Sequence, residues 1–581
     1  RGGESIWENG AQLAVGLNGS DNALSIENGG RVTSEFGFVG KYAGATNNRV
    51  VVSGAGAEWN IADELAVGAY GSGNSLTIRE GALVESASLL VGAGESASGN
   101  RVLVDDSDLN IGGDLLVGAR GSSNQLAASG AQLSSESAFI GNNEGADDNR
   151  VALDASDWNV DGDLFVGREG SGNQLRLSGG SGLMVDNALV VGENSAGNLF
   201  EVTGGDVRSR LGIIGGSSNS VSISGDGSKW MNSGEVRVGH EGASNTLNLL
   251  DGGFLRSEEA YVGYGSESRG NHAYVSGNGS VWSNNNVLWV GYDGSGNELN
   301  VTDGGVVSSR KSTVLGFNES ADDNRVTVAG NGSVLENGLA MGVGWEGVGN
   351  SLMIRDGGRV NSQNGYVGYA VGSDGNHATI SGAGSVWSNA HALYVGRAGS
   401  GNSLLVTGGG FVSSSDGRVG YAAGSSGNSV FVSGADSVWS NESDLIVGYE
   451  GFGNRVEVSD GGRVYANYGY IGGEVGSSNN SVRVAGDGSS LEMSGNLSVG
   501  LYGSDNSMRV EDGGRVISSH GTIGNEIGSD NNAAIVTGDG SVWSNRYNLN
   551  VGGFGNGNSL EITDGGKAIS DVTIMGELLG A

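Results

Sequence analysis

Apolar residues in this chain fall two apart, in runs too short for a helix. "SLMI" at 351–354 and "HATI" at 377–380 alternate in this way, the period-two signature of a strand. A second run in each unit centres on a Val: Val360, Val386, Val412, Val438, Val464, Val516 and Val542. A third ends in "VG" or "IG", as at Val367-Gly368, Val395-Gly396, Val419-Gly420 and Val447-Gly448. Gly, Asn, Ser and Asp fill the gaps, and these are turn residues. No 3.6 spacing persists long enough to make a helix. The pattern predicts units of three short strands joined by turns.

The units repeat on a clock. An Asn that closes a Gly/Ser loop and opens a strand recurs at Asn271, Asn297, Asn324, Asn350, Asn376, Asn402, Asn428, Asn454, Asn480, Asn506, Asn532 and Asn558, almost always 26 residues apart. The same Asn runs earlier from Asn22 to Asn245, with one short step of 21 residues between Asn198 and Asn219. Three strands cannot bury enough apolar surface alone, but stacked copies can, each strand pairing with its copy above and below. The prediction is therefore an all-β, parallel β-solenoid of about 23 coils, continuous over 1–581, with irregular repeats within 176–240. The Gly after each "V" is a corner residue, where positive φ or close approach excludes a Cβ. The clock Asn residues (Asn297, Asn350, Asn376, Asn402, Asn428, Asn454, Asn506 and Asn558 among them) are expected to form an amide ladder. A ligand would not need the same residue on 22 rungs.

The "VG" corners show a second period. From Gly344 to Gly552 their spacing alternates between 24 and 28 residues, so the full unit is a pair of coils, 52 residues long. One coil reads "DGGRVNS", the other "GAGSVWSN". Trp282, Trp387, Trp439 and Trp543 follow the Val of the second kind, with Trp7, Trp59, Trp158 and Trp230 as earlier counterparts and Leu109, Leu335 and Leu491 as replacements. With that Val inward, the Trp faces outward, where an indole can stack a sugar or dock a partner. The competing and favoured reading is burial: the Trp coils carry two extra residues before their corner, and the longer loop folds over the indole.

Composition agrees with a solenoid. Gly makes up 113 of 581 residues and Pro and Cys are absent, so disulfides and thiolate metal sites are excluded, and so is collagen. The net charge of −35 argues against nucleic acid, which needs a basic stripe, and no apolar run is long enough for a spanning helix. The expected partners are thus other copies, a glycan or a cell-surface protein, with no nucleic acid and no membrane insertion of this segment. No cofactor is expected. Calcium is the one ion considered, at Asp147 and Asp148 in "EGADDN" and Asp322 and Asp323 in "ESADDN", but it takes six to eight converging oxygens. The "DGG" aspartates, Asp251 to Asp564, are read as turn residues bonding their own backbone.

Catalysis finds little support. A polysaccharide-cleaving site needs clustered carboxylates that break the repeat. The irregular zone at 176–215 gathers Glu201, Asp206, Arg208 and Arg210, with Asp206 and Arg208 outward on either side of Val207, and a degenerate repeat explains it better than a site. The five His are scattered and no nucleophile elbow occurs.

The motif "LxVGxxGSGNSLxIxDGGxVxS…YIGxxxGSxGNxVxVSGxGSVWSN" covers the whole chain and resembles the Gly-rich β-helical passenger regions of bacterial autotransporters and related surface adhesins. That resemblance implies a right-handed β-helix, export to the cell surface, and a stalk or adhesive role. The leading expectation is an extracellular structural and adhesive rod that spans distance or assembles end to end into a filament or array. Beside it stand a glycan- or protein-binding module using a Trp/Tyr/Asn face and, third, a carbohydrate-active β-helix enzyme. Arg1-Gly2-Gly3 and "DVTIMGELLGA" begin and end at the third strand of a coil, which is read as a stretch of a longer chain or a unit that stacks end to end.

Overall fold

A single coil shows how the sequence builds the fold. Its first strand is Ser351–Arg355, its second Arg359–Ser362 and its third Asn364–Val367. Leu352, Ile354, Val360 and Val367 point inward and are fully buried. Arg355 and Gly358 close the first turn with a 3.0 Å backbone hydrogen bond, and both residues between them, Asp356 and Gly357, have left-handed φ angles of 55° and 90°. This is the type I′ geometry that Asp-Gly favours. The corner after the third strand needs Gly for a different reason. In the next coil Gly396 has φ 73°, and a Cβ there would lie 2.2 Å from the side chain of Asn428.

Consecutive coils pair in parallel and in register. Leu352 sits beside Ala378 and Ile354 beside Ile380 on the first strand, Val360 beside Trp387 on the second, and Val367 beside Val395 on the third. The fold is a parallel β-solenoid, all β, with three strands per coil and coils of about 26 residues, as the periodicity predicts. The computed structural model describes residues 5–576. The expectations placed on Arg1-Gly2-Gly3 and on the last five residues of "DVTIMGELLGA" lie outside them. The chain divides into two units, Arg1–Asn284 and Asn285–Ala581, with thirty and thirty-four described strands, and each is this same solenoid. Among the described residues no helix is long and apolar enough to cross a membrane.

The register corrects the assignment of the inward residue. Val360 faces Trp387, and Val386 faces the exposed Arg359. In the Trp coils, then, the Trp points into the core and the Val before it (Val281, Val386, Val438 or Val542) points out, half-buried. The cause is one residue. The turn of the Trp coil spans 382–385, where its neighbour uses 356–358, so counting ten from the clock Asn lands one position early. The second extra residue falls between the second and third strands. No loop folds over the indole.

What receives the indole is a Gly on the third strand of the preceding coil. A Cβ on Gly365 would lie 2.8 Å from the Trp387 ring, on Gly417 2.5 Å from Trp439, and on Gly521 2.6 Å from Trp543. In the first unit Gly37 and Gly212 meet Trp59 and Trp230 in the same way, and Ala138 and Ala260 stand where Trp158 and Trp282 follow. Two polar contacts run in the same direction. The Gly357 amide donates to Ser385 Oγ at 3.1 Å, and Ser362 Oγ donates to Asn389 Oδ1 at 2.8 Å. The next pair repeats both, Gly409 to Ser437 at 3.0 Å and Ser414 to Asn441 at 2.7 Å. The 52-residue unit is a Gly coil and the Trp coil after it, joined by one steric and two polar contacts.

The irregular zone keeps the stacking by fusing elements. Gly182–Val191 and Asp206–Ile214 each run through the second and third strands without a break. A register shift between Val185 and Ala188 absorbs the difference.

Candidate functional site

The structure places the nominated residues as follows. Trp282, Trp387, Trp439 and Trp543 have no exposed surface, so none of these four indoles opens a face to a ligand. This corrects the outward placement, and packing against Gly or Ala is its reason. The clock asparagines do form a ladder. In the second unit every clock Asn but Asn350 and the last donates its side-chain nitrogen to the next Asn oxygen, from Asn297 to Asn324 at 3.1 Å, from Asn402 to Asn428 at 3.1 Å, and from Asn506 to Asn532 at 3.1 Å. Asn350 instead gives its backbone amide to Asn376 Oδ1 at 2.8 Å, and the same backbone contact accompanies the rungs at Asn376, Asn428 and Asn454. Asn558 accepts the last rung, from Asn532.

The acidic candidates are spent on turns. Asp147 Oδ1 accepts the Ser171 amide at 2.7 Å, and Asp322 Oδ1 the Val348 amide at 2.8 Å. Asp148 and Asp323 hold left-handed φ angles of 57° and 56°. Among the described residues no three His, Asp or Glu side chains gather as a metal would need. The "DGG" aspartates bond across coils as well as within their turn: Asp460 Oδ2 accepts from Ser433 at 2.9 Å and from Ser459 at 3.1 Å. In the irregular zone Asp206 and Arg208 do point outward, 3.4 Å apart. Glu201 pairs with Arg176 at 3.2 Å and Arg210 with Asn187 at 3.1 Å, so the four do not converge.

The outward chemistry lies elsewhere, on the third strand and its corner. In the second unit Trp345 stacks on Tyr369 with centroids 3.7 Å apart, and Tyr366 lies parallel to Tyr394 at 5.3 Å. Tyr394 meets Tyr421 edge to face at 5.4 Å, and Tyr421 stacks on Tyr449 at 5.0 Å. Two guanidinium groups join this column, Arg397 over Tyr369 at 4.4 Å and Arg418 over Tyr421 at 5.2 Å. All of these side chains are half-buried. They occupy one outward position two before the corner Gly and another directly after it, repeated in successive coils. The first unit holds a shorter version, in which Arg237 lies 4.0 Å over Tyr264 and donates to Glu235 at 2.8 Å.

Electrostatics follow from this crowding. Burial, then the neighbouring Tyr394, raises the Tyr366 phenol above its ordinary range. Burial, then Asp416, raises the Asp444 carboxyl. Burial and then Arg237 lower the His240 imidazole below its ordinary value. The column can donate hydrogen bonds from phenols and guanidinium groups along an outward ridge. Sequence reading missed it although the signal was there: Tyr264, Tyr292, Tyr369, Tyr421 and Tyr449 each complete a "VGY" at the corner.

No protein-family model and no curated protein matches this chain. Among solved structures, the crystal structure of a TibC-catalyzed hyper-glycosylated TibA fragment matches at 15% identity, covering 70% of this chain and 99% of that one, with a TM-score of 0.33. A superposition that loose bears on neither the fold nor the function of this chain.

Proposed function

We propose that this chain is an extracellular structural and adhesive solenoid, displayed at a bacterial surface, that spans distance or joins an array and performs no catalysis. One observation carries the reading: the recurring inward side chains serve the coil above or below. The Asn ladder, the Trp–Gly contact and the Ser and Asn contacts recur with the repeat and fill the interior between successive coils. The resemblance of the repeat to passenger regions of surface adhesins supports the location. A second reading, a glycan- or protein-binding module, draws on the tyrosine–arginine column, which stands outward where Trp282, Trp387, Trp439 and Trp543 do not. Adhesion tests both. Beads carrying the full chain are expected to attach to glycan- or protein-coated surfaces without releasing sugar fragments. Beads that attach no better than bare ones would overturn the adhesive role, and fragment release would make the chain an enzyme.

A further inference from the structure

Four of the longer corner loops of the second unit share an unusual tip; the first, where Glu319 stands at that place, does not. At 52-residue intervals Val371, Ala423, Val475 and Ile527 occupy the same place, one residue before a left-handed Gly (Gly372, Gly424, Gly476 and Gly528, φ 84° to 90°). Each turn is closed by a backbone bond, from Ser373 to Ala370, Ser425 to Ala422, Ser477 to Glu474 and Ser529 to Glu526, at 3.0 to 3.2 Å. This is a type II turn with the tip residue at its second position, where Pro is common and nothing requires an apolar side chain. Yet Val371 is 86% exposed, Val475 78% and Ile527 81%. The shorter loops at 449–453, 501–505 and 553–557 add Phe452, Tyr502 and Phe554, each exposed. Side chains with this much apolar surface in water, recurring with the repeat on one edge, mark an interaction surface rather than scatter.

Charge selects the occupant. Between 345 and 557 the loops of this edge carry Glu346, Asp374, Glu450, Glu474, Asp505, Glu526 and Asp530, and Arg397 as their one cation. Among the described residues none of these seven carboxylates makes an ion pair, although Asp374 and Asp530 each accept a backbone amide of the next coil, from Ser400 and Asn556 at 2.7 Å. Arg397 is turned onto Tyr369. A second copy of the same edge, or an anionic membrane, would bring like charge against it. The complement is positive and apolar together. We propose that the loop edge of the second unit docks a cationic protein segment that carries apolar side chains, its Lys or Arg pairing with the carboxylates and its aliphatic groups covering the tips. This goes beyond the adhesive role by naming the edge and the chemistry of the partner, and it stands if the tyrosine column binds nothing.

The test uses the full chain and a fluorescent peptide of alternating Lys and Leu, read by anisotropy. Its controls are a Lys/Ser peptide of equal charge and a Glu/Leu peptide of equal apolarity. The variant V371S/V475S/I527S keeps the net charge, and its circular dichroism and melting are checked against wild type. The Lys/Leu peptide is expected to bind wild type at least about tenfold more tightly than it binds the variant, and more tightly than either control peptide binds wild type. Equal binding of variant and wild type would reduce the effect to net charge and overturn the proposal. So would tight binding of the Glu/Leu peptide, attachment to phosphatidylcholine vesicles that the variant loses, or self-association in sedimentation that the variant loses.

Discussion

At the scale of the residue, the fold rests on paired sizes. Trp439 fills the space that Gly417 leaves, and neither has room to change alone. Trp439→Ala removes a fully buried indole, so a destabilisation of about 3–5 kcal/mol in denaturant unfolding is expected. Trp439→Phe is expected to lose much less, because the indole nitrogen finds no acceptor in the protein. Equal losses for the two would show that ring volume is not what matters there. Gly417→Leu places side-chain atoms within the indole's space, and the same measurement should show a loss comparable to that of Trp439→Ala. A second residue-scale expectation concerns pH. On the first-strand face Arg483 bridges Glu457 at 2.7 Å and Glu511 at 2.6 Å, and Arg509 also reaches Glu511. Burial works to raise the Glu511 carboxyl, but the hydrogen bonds and charges of Arg509 and Arg483 outweigh it and hold the pKa below the ordinary value. A carboxyl lowered on folding contributes stability above its unfolded pKa and loses it as pH falls through the folded one. Glu511→Gln should therefore cost stability at neutral pH and flatten the acid limb of a stability–pH curve. An unchanged acid limb would contradict the bridge.

At the scale of the element, the meaningful unit is a pair of coils. The contacts between Gly365 and Trp387, Gly357 and Ser385, and Ser362 and Asn389 all run from one coil to the next of the same pair. Deleting 403–454 removes one pair and leaves a Trp coil followed by a Gly coil, so the shortened chain should fold with an unchanged circular dichroism spectrum per residue. Deleting 403–428 alone sets Trp439 over Leu393 in place of Gly417, and that chain should melt lower or aggregate. If both deletions behave alike, the pairing is without consequence. The strands, the clock Asn and the 52-residue period could be read from spacing, because each is a regular feature of one residue type. The direction of the tryptophans could not. The count from Asn376 assumed turns of equal length, and one added residue in the turn at 382–385 reversed the faces of Val386 and Trp387. The tyrosine column escaped for another reason: Tyr369 and Tyr366 belong to different parts of the motif, and only the corner brings them 5.1 Å apart.

At the scale of the whole molecule, each unit is built up in coil pairs. The net charge of −35 opposes close approach of like chains, and the adhesion proposed above would fall to local surfaces, the tyrosine–arginine column and the acidic loop edge. The absence of Cys allows clean labelling. Spin labels placed in pairs at Val371, Ala423, Val475 and Ile527 report distances between loop tips of the second unit by pulsed electron resonance. In-register stacking predicts about 10 Å between tips one pair apart, about 19 Å for two pairs and about 29 Å for three, rising linearly and with narrow distributions. Distances that fail to grow with the number of pairs, or distributions too broad to rank, would contradict it.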